Sequence, residues 1–84
     1  MMRTIKNGFK IIGYTDEFMG KIKVYNDKRK QVGEISKLGT KYSAKDTHFR
    51  LIAEYDERTN ETKDAHFRRI GKGNILVEML LKNG

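Results

Sequence analysis

Both histidines of the chain stand in the same local pattern. Lys45-Asp46-Thr47-His48-Phe49-Arg50-Leu51-Ile52 and Lys63-Asp64-Ala65-His66-Phe67-Arg68-Arg69-Ile70 share K-D-x-H-F-R-x-I at an offset of 18 residues. Two chemistries use those residue types. Metal-independent cleavage of RNA needs a general base, a general acid and cations for the charge that develops on phosphorus. His48, His66, Arg50, Arg68 and Lys63 supply those groups. Binding without cleavage needs only cations for phosphate and flat rings for bases. Two copies are too few for a solenoid, and two strands of similar composition would produce the same echo by coincidence. Imidazoles in a basic protein more often pack or hydrogen-bond than catalyse, so binding is the reading carried forward.

Other chemistries find no foothold. The chain has no cysteine and no H-x-x-x-H or H-E-x-x-H spacing, so no metal site is expected. Ser36 and Ser43, the two serines, lie in no nucleophile elbow. Gly71-Lys72-Gly73-Asn74 lacks the phosphate-loop pattern and reads as a plain turn. No G-x-G-x-x-G is present, so no dinucleotide and no other cofactor is expected. Helix-turn-helix and zinc-finger patterns are absent, and Gly8-Phe9-Lys10-Ile11-Ile12-Gly13-Tyr14 does not match the signature strand of an RNA-recognition domain.

The charge balance points to a polyanion. The 84 residues carry a formal charge of +7. Eleven Lys or Arg face four Asp or Glu in residues 1–45, and seven face seven in residues 46–84, so the excess lies in the first half. Such asymmetry predicts a basic face. Residues 1–84 are expected to form one small basic domain with a small core. Absence of cysteine, of a long apolar run and of a secretory apolar segment at the N-terminus predicts a cytoplasmic protein that does not span a membrane.

The elements that must position these residues read mostly as strands. Residues 8–14 alternate as a first strand, followed by a connection at 15–20 with one helical turn capped by Thr15. In residues 21–26, Ile22 and Val24 face one way and Lys21, Lys23 and Tyr25 the other. Asn26-Asp27-Lys28-Arg29-Lys30 is a turn, and residues 31–36 resume the strand with a bulge at Gly33. Residues 38–45 read as a loop. The first copy of the echo reads as a strand with Phe49, Leu51 and Ala53 directed to the core, and 61–70 as its hairpin partner. A helix is the rival for the first copy, since Ser43 and Asp46 resemble a capping box. Between the copies, Asp56–Asn60 is a hairpin connection with Asn60 left-handed. Residues 75–82 lean to a helix between an Asn74 cap and an Asn83-Gly84 stop, although Ile75 and Val77 also suit a strand.

The expected fold is therefore α+β, mainly β: a curved antiparallel sheet of about five strands built from hairpins, with a short C-terminal helix. The expected function is non-catalytic nucleic-acid binding, RNA or single strands before duplex DNA. The expected binding residues are Lys21, Lys23, Tyr25, Lys28, Arg29, Lys30, Lys41, Lys45, Arg50 and Arg68. Size and composition suit a small accessory factor, such as a phage counter-defence protein or a toxin antagonist. Two alternatives stand beside it: a module that binds an acidic protein partner, and a small ribonuclease using His48 and His66. Ile75, Val77, Met79 and Leu81 offer a second apolar face that another copy of the chain would cover in a homodimer.

Overall fold

The computed structural model describes residues 2–83. Met1 and Gly84, one end of the expected helix stop, lie outside them. Eight strands run in sequence order through one antiparallel sheet: β1 (Met2–Asn7), β2 (Lys10–Phe18), β3 (Lys21–Asn26), β4 (Gln31–Leu38), β5 (Lys41–Lys45), β6 (Leu51–Asp56), β7 (Glu61–Asp64) and β8 (Arg69–Lys72). One helix, α1 (Leu76–Asn83), follows and lies across β3 to β6.

The sheet has eight strands where about five were expected, and the difference comes from the turns. Residues 15–18 are not a connection but the second half of β2, because the reversal is a two-residue turn at Met19 (φ 50°) and Gly20 (φ 77°). Positive φ at both central residues matches the twist of the flanking strands. Residues 41–45 are likewise strand β5 rather than loop, since Gly39 (φ 64°) reverses the chain within two residues. The expected first strand begins at Lys10 and is preceded by β1, with Gly8 (φ 66°) between them.

The largest correction concerns the echo. Its two copies are not facing strands. Each is the end of a hairpin, so β6 starts only at Leu51, and 61–70 divides into β7 and β8. Phe49, expected in the core, stands 78% exposed. The alternation through Leu51 and Ala53 does not extend back to it, because the turn rotates Phe49 out of the pleat.

The core is small and lies between the sheet and α1. It comprises Val24, Val32, Ile35, Ala44, Ala53, Leu76 and Leu80. The small residues admit the helix. A Cβ added to Gly33 would lie 2.6 Å from Leu80 Cδ2 and 2.5 Å from the Lys45 carbonyl oxygen. One on Gly13 would lie 2.8 Å from Leu81 Cδ2. The pairing of β3 with β4 shifts register beside Gly33, as a bulge there requires. The helix starts as expected: Leu76 N donates to Asn74 Oδ1 at 3.1 Å. Buried Thr62 ties β7 to this start by donating from Oγ1 to the Gly73 carbonyl at 2.6 Å. Burial of Leu76 and Leu80 contributes about 1.5–3 kcal/mol each. Ile75, Val77, Met79 and Leu81 are all half-buried.

Candidate nucleic-acid interface

Three of the hairpin ends are the same structure. In the first, Asn26 N donates to the Lys30 carbonyl (2.9 Å) and Arg29 N to the Asn26 carbonyl (3.0 Å). In the second, Asp46 N donates to the Arg50 carbonyl and Phe49 N to the Asp46 carbonyl, both at 3.0 Å. In the third, Asp64 N donates to the Arg68 carbonyl and Phe67 N to the Asp64 carbonyl, both at 2.9 Å. Each is a three-residue loop whose last residue is left-handed: Arg29 (φ 65°), Phe49 (φ 62°) and Phe67 (φ 63°).

The leading Asx residue builds each loop. Asp46 Oδ1 accepts the backbone N–H groups of His48 (2.8 Å) and Arg50 (3.0 Å), and Asp64 Oδ1 those of His66 (2.9 Å) and Arg68 (3.0 Å). Asn26 Oδ1 does the same for Lys28 and Lys30, both at 2.9 Å. In the two Asp loops the following arginine adds a charged clamp, Nε to Oδ2 at 3.0 Å in both. The backbone N–H of Arg50 chiefly holds the Asp46 carboxyl below its ordinary range, and that of Arg68 does so for Asp64. The arginine side chains add to this and burial opposes it.

A meander alternates its reversals between two ends of the sheet, so the three loops project from the same end as the β1–β2 turn. That end displays Lys10, Lys28, Arg29, Lys30, Arg50 and Arg68 against exposed Asp27 and half-buried Asp64, while Asp46 is buried under its loop. It also carries the rings of Phe9, Phe49 and Phe67, all exposed. An open cleft of about 300 Å³ separates the first two loops, and Lys30, Thr47, His48 and Arg50 line it. Lys28 and Lys30 make no ion pair among the described residues.

The other expected binding residues are placed differently. Lys21, Lys23, Lys41 and Lys45 lie on the sheet face away from the helix, interleaved with acids. Lys23 pairs across strands with Asp16 and Glu34, and Glu34 with Lys45. Lys21 reaches Glu34 at 3.6 Å and Lys41 reaches Glu54 at 3.8 Å. Tyr25 sits opposite Tyr14 on this face, and the Arg29 guanidinium lies 5.1 Å from the Tyr14 ring centre. The structure thus gathers Lys28, Arg29, Lys30, Arg50 and Arg68 at one end. It leaves the four lysines in a lattice of alternating sign, where cross-strand opposite charges stabilise the sheet.

Phe49 was expected in the core, and the shared loops that expose it and Phe67 were missed. A signal was present: an Asx residue opens each segment, Asn26, Asp46 and Asp64 alike, and such side chains bond the backbone two residues on. The sheet end opposite the loops exposes Phe18, Met19 and Leu38. Among the described residues there is no cluster of three metal-ligating side chains, and no helix is long and apolar enough to cross a membrane. No family model, curated protein or solved structure matches the chain.

Proposed function

We propose that the chain is a non-catalytic nucleic-acid-binding module that takes RNA or single strands along its row of hairpin ends. The observation that carries this reading is the convergence of Lys28, Arg29, Lys30, Arg50 and Arg68 with three exposed phenylalanine rings on one end of the sheet. Cations attract phosphate without regard to sequence, and rings accept any base. The non-catalytic choice is supported by the carboxylates beside the histidines. Asp46 and Asp64 are already bound to backbone N–H groups and arginines, which removes the obvious groups to orient His48 or His66 as a base. An accessory role in the cytoplasm, as a phage counter-defence protein or toxin antagonist, fits the size and charge.

The test is affinity for labelled single-stranded RNA across a salt series. Contact with about five phosphates gives a slope of log K on log salt near −3.5 to −4.5. Changing Lys28, Arg29 and Lys30 together to Ala should weaken binding several-fold. A flat salt profile defeats the proposal.

A protein-interaction module is the second reading, favoured by the exposed apolar cluster Phe18, Met19 and Leu38 at the far end. A pull-down that retains an acidic protein in high salt, with no RNA binding in low salt, would select it.

A further inference from the structure

We infer that Phe49 and Phe67 are paired stacking platforms for two unstacked bases of a single strand, with Arg50 and Arg68 beside them taking phosphates. The inference rests on the nucleic-acid reading above and deepens it by naming the bases as part of what is bound.

Four observations carry it. The two rings occupy the same position of two loops with the same hydrogen-bond pattern, and each is followed by an arginine. They stand 78% and 66% exposed, so neither contributes to the core. Each backbone is left-handed, φ 62° and 63°, where glycine would be unstrained. The loop itself requires that conformation, and the exposed rings gain no packing in return for it. Finally, each loop is locked by the Asp carboxylate through two backbone N–H groups and a guanidinium. A ring on a locked loop is pre-organised and loses little freedom on binding.

The spacing selects the state of the nucleic acid. The loops join β5 to β6 and β7 to β8, an offset of two strands or about 10 Å. Neighbouring stacked bases in a duplex strand rise only about 3.4 Å, and their faces are covered. Two rings so far apart reach bases only where the strand is extended and its bases are splayed. Duplex DNA and RNA present no such faces, so they would be held by charge alone.

The experiment uses the full chain and three probes: an oligouridylate of about eight nucleotides, a duplex of the same length, and heparin, a polyanion without bases. The variants are Phe49→Gly and Phe67→Gly, singly and together, with Phe49→Leu and Phe67→Leu as apolar controls. Because the chain has no tryptophan, Phe49→Trp and Phe67→Trp each install a single emission reporter. The expected result is about a ten-fold loss of oligouridylate affinity for each ring removed, with heparin and duplex binding unchanged. Oligouridylate should quench both reporters, and heparin neither. Wild-type oligouridylate affinity in the double Gly variant overturns the stacking role and leaves the charge-based reading standing. Equal loss for heparin also overturns it, because the loops would then act only by placing cations. Failure of the wild-type protein to bind any probe overturns both readings together.

Discussion

Arg50 closes on Asp46 within a single turn, its Nε 3.0 Å from the carboxylate Oδ2, while the backbone N–H of the same arginine donates to Oδ1 of the same aspartate. Arg68 and Asp64 repeat this arrangement. One aspartate therefore sets both the path of the loop and the position of the cation that follows it.

Asp46→Ala removes the acceptor of two backbone N–H groups and one guanidinium N–H. The loss of one net hydrogen bond lowers the midpoint of a domain this size by about 4–8 °C, and Asp46→Ala should cost at least that. Asp46→Asn should cost less, because Asn26 builds the same loop with an amide oxygen. Thermal unfolding followed by far-UV circular dichroism checks the order. Equal losses would show that the charge clamp, not the loop, is what matters.

Phe49→Gly should leave the thermal midpoint unchanged or raise it by a few degrees. A left-handed non-glycine residue costs roughly 1–2 kcal/mol, and the entropy of glycine returns about 0.5–1 of it. The exposed ring offers no packing to lose. A drop comparable to that of a buried Phe→Ala, about 3–5 kcal/mol, would mean the ring is covered in solution, for instance by a second copy of the chain.

Gly33→Val should be among the most damaging single changes. Its Cβ would press on Leu80 Cδ2 at 2.6 Å and on the Lys45 carbonyl at 2.5 Å, and the carbonyl belongs to the sheet itself. Overpacking of this kind costs typically 1–3 kcal/mol. Leu80→Ala removes the same contact from the other side and should cost about 2–5 kcal/mol. Urea midpoints of the two variants provide the measurement, and a Gly33→Val protein as stable as wild type would refute the seating of α1.

Acid should destabilise the fold through the two loops. The backbone N–H groups of Arg50 and Arg68 first, and the arginine side chains in support, hold the Asp46 and Asp64 carboxyls below the ordinary value of 3.8. A carboxyl whose folded value is lowered stabilises above its unfolded value and loses that stability as pH falls through the folded one. Midpoints should therefore fall from about pH 4 downward. The double variant Asp46→Asn, Asp64→Asn should show a shallower fall. An identical pH profile in the double variant would assign the acid sensitivity to other carboxylates, such as Asp56 and Glu57, which are also held low.

Local residue chemistry was enough for several elements. The alternation of Lys21, Ile22, Lys23, Val24 and Tyr25 specifies β3, and the Asn74 side chain specifies the start of α1. Asn60 was readable as left-handed because its side chain tolerates that conformation. These features depend on neighbours within a few residues. The count of eight strands and the display of Phe49 and Phe67 depend on more. Phe49 continues an apolar alternation that nothing in its own residue type contradicts, and only the closure of Asp46 onto Arg50 turns the ring outward. The surroundings of the expected binding lysines are decided in the same way. Lys21, Lys23, Lys41 and Lys45 look alike along the chain, but strand register sets Glu34 and Glu54 beside them, while sheet order brings Lys28, Arg29, Lys30, Arg50 and Arg68 to one end. Periodicity tells a side chain which face it takes, but the charges it meets there come from strands that are distant in sequence, and pairing alone brings them together.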